Sequence, residues 1–163
     1  MTDLLRRYGR SPPGTRLHDH APCSHGQTHT VVAALRLDGV TAPAGIYGQI
    51  DGPTFQAYVD QVLVPTMRPG DVVVLDNLVV HEHPDIRAAI ERVGGRIRHL
   101  PPYSPDFNPI EQAFAKLKAF SRAARPRNFD QVCDLIAAAI GLFTAAECGN
   151  YIRHSGYRVA TRL

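Results

Sequence analysis

No apolar run in this 163-residue sequence approaches the roughly 18 residues needed to span a bilayer. The opening Met1-Thr2-Asp3-Leu4-Leu5-Arg6-Arg7 lacks a signal peptide's order of charge, apolar stretch and cleavage site. These absences predict a cytoplasmic protein with no membrane partner. Cysteine is scarce too: Cys23, Cys133 and Cys148 are an odd number with no paired spacing, which argues against a disulfide framework and for reduced thiols. No internal repeat, low-complexity tract or linker interrupts the chain, so residues 1–163 are read as one domain, a length that suits a single core. With 44% hydrophobic and 20% charged residues, the composition is that of an ordinary globular domain.

Acidic residues are missing from two places. Arg6, Arg7, Arg10 and Arg16 face only Asp3 in the first sixteen residues, and Lys116, Lys118, Arg122, Arg125 and Arg127 have no acidic residue among them. The net charge of +3 is small, but its concentration at the two ends could carry a polyanion. Solvated helix and loop charges are the plainer explanation.

The order of elements reads as α/β. Arg-Tyr-Gly-Arg-Ser-Pro-Pro-Gly near the start marks a turn between short extended pieces. Thr28 to Leu37, β-branched and apolar and closed by Asp38-Gly39, predicts a strand with a hairpin partner near Ala44 to Tyr47. Asp51-Gly52-Pro53-Thr54 opens a helix whose inward stripe is Phe55, Tyr58, Val59, Val62 and Leu63. The continuous run Val72-Val73-Val74-Leu75 predicts a strand covered on both faces, ending at Asp76. A helix over 84–93, with Ile86, Ala89, Ile90 and Val93 inward, stops at Gly94-Gly95 and precedes a short strand from Arg96 to Leu100. Asn108 is the expected N-cap, and Pro109 the opening residue, of a helix with Ile110, Ala113, Phe114 and Leu117 inward. Two further helices are expected, Phe129 to Phe143 and Thr144 to Ile152.

Two carboxylates stand out. Asp76 ends its strand at the edge where open α/β sheets place ligands, although an Asp before Asn77 also serves as a plain turn residue. Glu111 lies in a helix's first turn, where the helix dipole alone would favour it. Residues 77–110 between them hold a helix and a strand that could return the chain beside Asp76. Converging carboxylates are what two-metal phosphoryl transfer requires, and an oxygen-rich site points to Mg2+, with Mn2+ as substitute. His18, His20, Cys23, His25 and His29 form a rival cluster, but their spacing fits no standard zinc pattern and a His-rich polar loop explains them.

Val72 to His81 (Val-Val-Val-Leu-Asp-Asn-Leu-Val-Val-His) and Leu100 to Lys118 (Leu-Pro-Pro-Tyr-Ser-Pro-Asp-Phe-Asn-Pro-Ile-Glu-Gln-Ala-Phe-Ala-Lys-Leu-Lys) closely resemble the second and third catalytic motifs of DDE-type, mariner-like bacterial insertion-sequence transposases. Weaker likeness runs through 6–14, 31–38 and 147–157. The resemblance implies a ribonuclease H-like mixed sheet flanked by helices. It also implies metal-dependent cleavage of transposon-end DNA followed by strand transfer into target DNA. It makes Asp76 the second metal-binding carboxylate and Glu111 the third, with Asn77, His81, Tyr103 and Asn108 in support. For His81 a helix cap, and for Tyr103 simple packing, remain open. Arg6, Arg7, Arg10, Lys116, Lys118, Arg122 and Arg125 become the expected DNA contacts. The family's first catalytic aspartate, at the end of an initial central strand, has no counterpart, because Asp3 lacks a preceding strand. The expectation is therefore a domain incomplete at its N-terminus, partnered by DNA and by a second copy or an upstream transposase segment. The alternative is a non-catalytic DNA-binding or transposase-binding regulatory fragment.

Overall fold

A computed structural model describes residues 11–16, 29–81, 83–124, 126 and 128–158. Residues 11–16 form the expected proline–glycine turn, closed by the Thr15 amide donating to the Pro12 carbonyl at 3.1 Å. Strands β1 (His29–Arg36) and β2 (Gly39–Tyr47) make an antiparallel hairpin. β2 is longer than the sequence suggested, because a register shift between Val32 and Ala34 lets the chain pass through Pro43 without breaking the ladder. Proline has no N–H to pair, so a bulge is one of the few places a strand accepts it. Ala42 takes a left-handed φ of 50° there, and its buried carbonyl receives the Tyr58 hydroxyl at 2.9 Å.

Helix α1 (Gly52–Tyr58) starts where Asp51 accepts the Thr54 amide at 2.9 Å, with proline in the first turn. The expected single helix changes pitch after Tyr58, becoming a wider turn over Val59–Leu63 and a tight one over Val64–Thr66. Of the predicted inward residues, Phe55, Tyr58, Val59 and Leu63 are buried and Val62 is half-buried against the same cluster. β3 (Val72–Leu75) and β4 (Arg96–His99) pair in parallel, joined by α2 (Pro84–Arg92), a right-sized crossover for a βαβ unit. Gly94, at φ 79°, ends α2 as its sequence predicted. α3 (Ile110–Ala124), α4 (Phe129–Ile140) and α5 (Ala145–His154) follow, the last two capped by Asn128 and Thr144. None of the described helices is by itself long and apolar enough to cross a membrane.

Two apolar clusters hold these elements. In the first, Phe55, Val59, Ile86, Ile90 and Ile97 meet Val32, Ala34, Ala44, Val73 and Leu75. In the second, Ala113, Leu117, Phe143 and Cys148 meet Leu35 and Val40 from the hairpin. Fully burying an aliphatic or aromatic side chain of this size contributes about 1.5–3 kcal/mol. The hairpin thus has apolar packing from both clusters, while β3 does not: Val72 is 52% exposed. This corrects the expectation that β3 is covered on both faces. The strands also form two separate two-stranded sheets among the described residues, and not one continuous mixed sheet, because no described strand pairs with both β1 and β3.

The Arg36 guanidinium grips the Asp71 carboxylate with two hydrogen bonds, 2.6 and 3.0 Å, and holds that carboxyl below its usual range. The clasp ties the last residue of β1 to the residue preceding β3. Asp76 follows the other end of β3, away from that clasp.

Candidate active site

Asp76 follows the last residue of β3. The hydrogen-bond ladder runs one step past the final pair, Leu75 with His99, as the Leu100 amide donates to the Leu75 carbonyl at 2.8 Å. Asp76 and the start of the loop toward Glu111 therefore leave the sheet at the same edge, the carboxyl end of two parallel strands. The Asp76 side chain is 42% exposed, yet its Oδ1 is buried and has no hydrogen-bond partner. His81 Nδ1 stands 2.6 Å from that oxygen, a close approach without the alignment of a hydrogen bond, and 3.5 Å from the Asp76 main-chain carbonyl. The imidazole is pinned from behind by the buried Phe55 ring, 4.2 Å away. His81 therefore backs Asp76, and it is His83 that caps α2, accepting the Asp85 amide at 3.4 Å.

Asn77 is exposed in the bend after Asp76. The loop from Pro101 to Asn108 is rigid by composition and by contacts. Ser104 Oγ donates to the Pro102 carbonyl at 3.2 Å, Pro105–Phe107 makes one tight turn, and the Tyr157 hydroxyl donates to the Phe107 carbonyl at 2.9 Å. Tyr103 sits on this loop at a left-handed φ of 57°, with its ring wholly exposed. Packing does not explain it. A non-glycine residue in this region costs on the order of 1 kcal/mol or more, a strain that clusters at functional sites. Asn108 contributes its main-chain carbonyl, which receives the Glu111 amide at 3.2 Å, in place of the side-chain cap expected. Glu111 is exposed in the first turn of α3, at the positive end of the helix.

The expected DNA contacts divide. Arg6, Arg7, Arg10 and Arg125 lie outside the described residues, as do Asp3, His18, His20, Cys23 and His25. His29, the remaining member of the His-rich cluster, stacks on Phe129 at 4.5 Å. Lys116 is committed elsewhere: its ammonium donates to both Glu147 oxygens at 2.8 and 2.7 Å and lies 4.4 Å over the Phe143 ring. Lys118 and Arg122, one turn apart on α3, make no ion pair among the described residues, and Arg122 Nε is buried without a partner. A concavity of about 440 Å³ beside Gly52, Gln56, Asp60 and His83 contains neither Asp76 nor Glu111.

A carboxylate at the carboxyl edge of a parallel βαβ unit, followed by a rigid loop and a helix opening on a second carboxylate, places the domain among α/β proteins with an edge-mounted acidic site. The same fold is found in solved structures of the Mos1 transposase. The Mos1 strand transfer complex matches with a TM-score of 0.72 and 15% identity over 91% of this chain and 46% of that one. The Mos1 mariner paired end complex with Mn matches at 0.71 and 14% identity, over 91% and 47%. This chain thus spans less than half the length of those it matches, and the likeness bears out the ribonuclease H-like α/β fold. The sequence profile of the DDE superfamily endonucleases matches residues 2–134, and the chain belongs to that family. No curated protein matches it.

Proposed function

We propose that this chain is the catalytic domain of a transposase that cuts transposon-end DNA and joins the freed ends to target DNA, with Asp76 and Glu111 as metal-binding carboxylates. The observation that carries the reading is the place of Asp76 at the carboxyl edge of the β3–β4 pair, its Oδ1 held 2.6 Å from His81 Nδ1, where the chain departs toward Glu111. The side chain is 42% exposed although Oδ1 is buried against His81, so the carboxylate still presents itself to solvent, where a hard divalent ion can meet it. Among the described residues no three His, Cys, Asp or Glu side chains gather closely enough to hold a metal by themselves. On this reading Asp76 and Glu111 are two members of a larger ligand set. A strand pairing with both β1 and β3 would merge the two sheets, and the first aspartate implied by the resemblance belongs at its end.

Bound Mg2+ or Mn2+ supplies Lewis-acid activation of the attacking oxygen and stabilisation of the leaving one. The protein's part is positional. His81, wedged against Phe55, fixes the Asp76 carboxylate, and the proline loop fixes the start of α3 and with it Glu111. Lys118 and Arg122 offer cations to the DNA backbone.

Mn2+ binding, read from the loss of the free-ion electron paramagnetic resonance signal, tests this. Asp76→Ala and Glu111→Ala should each weaken binding about tenfold or more, and either should abolish nicking of transposon-end duplex by the transposase containing this domain. Undiminished Mn2+ binding by the double variant refutes the assignment.

A further inference from the structure

Among the described residues β4 is an edge strand, with two unlike faces. Ile97 points into the first cluster at 7% exposure, while Arg96 and Arg98 are exposed. Alternation puts the two arginines on one face of the sheet, and the parallel register sets them beside Val72 and Val74. The cluster that holds Val73, Leu75 and Ile97 lies on the other face. Among the described residues Arg96 and Arg98 make no ion pair or hydrogen bond through their side chains, whereas Arg36, Arg68, Arg87 and Arg92 are paired with Asp71, Asp38, Glu91 and Asp60. Two unpaired guanidinium groups thus share a sheet face that, among the described residues, leaves Val72 exposed and Val74 half-buried. Their strand runs from Arg96 through Arg98 to Leu100, toward the edge at which Asp76 stands.

We propose that this face of the β3–β4 sheet binds the phosphate backbone of duplex DNA, with Arg96 and Arg98 contacting phosphates along one DNA strand that leads to Asp76. Residues two apart on a strand are separated by about 6.6 Å, so two long arginine side chains on one face can reach neighbouring phosphates of one DNA strand. Arginine's planar fork suits phosphate, and no anion among the described residues competes for the two cations. Guanidinium groups spent on phosphates hold and orient the duplex without selecting sequence. The inference rests on the DNA-cutting function proposed for the domain.

The test is fluorescence anisotropy of a labelled duplex titrated with the whole chain between 50 and 200 mM KCl. Arg96→Gln and Arg98→Gln should each reduce the slope of log affinity against log salt by about 0.9. The double variant should lose about 1.8, which is roughly a 60-fold loss of affinity at 0.1 M salt. The charge-retaining Arg96→Lys/Arg98→Lys variant should keep the parent slope, and Arg87→Gln, whose partner is Glu91, should leave it unchanged. Mn2+ titration of the same variants reads the Asp76–Glu111 site separately and should not move, so failure there and failure here are distinguishable. An unchanged slope in a folded Arg96→Gln/Arg98→Gln protein overturns the proposal and leaves the arginines as charges that keep an edge strand from pairing. A change seen with single-stranded DNA alone, near 0.7 per arginine, also overturns it.

Discussion

Replacing Lys116 by methionine removes an ammonium while keeping most of the side chain's bulk, which isolates the charge. The lost contacts are two hydrogen bonds to Glu147 at 2.8 and 2.7 Å, one to the Leu142 carbonyl at 3.3 Å, and the position over the Phe143 ring. Hydrogen bonds to a charged group contribute about 1.5–3 kcal/mol and an exposed cation–π contact about 0.5–1 kcal/mol. Both side chains keep roughly a quarter of their surface in water, 25% and 28%, which screens part of this. Glu147 also retains its 2.6 Å bond from the Tyr151 hydroxyl. The expected cost is about 2 kcal/mol, or about 4–8 °C in Tm for a domain of this size. The pH dependence has a definite sign. The Lys116 hydrogen bond, followed by that of Tyr151, holds the Glu147 carboxyl below its ordinary value of 4.5. The stability it brings is present above that value and is lost as pH falls through the lower, folded pKa. Lys116→Met should therefore flatten the acid side of the stability profile as well as lower Tm at pH 7. Calorimetry from pH 3 to 8 measures both. An unchanged Tm together with an unchanged acid limb would show that the ion pair is not formed in solution.

Two further substitutions probe the scaffold. Tyr58→Phe leaves the Ala42 carbonyl buried without its 2.9 Å donor at a bulge already strained by Ala42's φ of 50°, and should cost about 1–3 kcal/mol in urea unfolding; a loss under about 0.5 kcal/mol would mean that the bulge holds itself. Gly45→Ala would set a Cβ 2.7 Å from Phe129 Cζ and 2.9 Å from Cys133 Sγ. The ring would have to leave its stack with His29 and Tyr47, at about 1–3 kcal/mol. Unchanged Tm and unchanged aromatic near-ultraviolet dichroism would show that α4 sits less closely on β2 than the structure has it.

Local features were legible from the chain alone. The valine run makes β3 because β-branched side chains suit a pleated strand, and Asp76 ends it within the next residue. Asp51, Gly94 and Thr144 punctuate helices through contacts reaching no more than a few positions along the chain. The inward stripes of α1, α2 and α3 could be read because a period of 3.6 residues selects one face whatever that face meets. The acidic residues could be read for a similar reason: a carboxylate at a strand end and another in a helix's first turn are each declared by their neighbours.

Partners distant in the chain came only from the packing of the whole domain. Lys116 belongs to a basic run in the sequence, yet it is bound to Glu147, 31 positions away, because α3 and α5 meet across the second cluster. His81 and His83 are alike in the sequence, and only the placement of Phe55 behind one of them makes that one the support of Asp76. β3 and β4 read as short strands of equal standing. That one face of their sheet packs on α2 while, among the described residues, the other leaves Val72 exposed and Arg96 and Arg98 unpaired reflects which surfaces the two clusters reach. Periodicity fixes which residues share a face, and the rest of the fold fixes what, if anything, covers it.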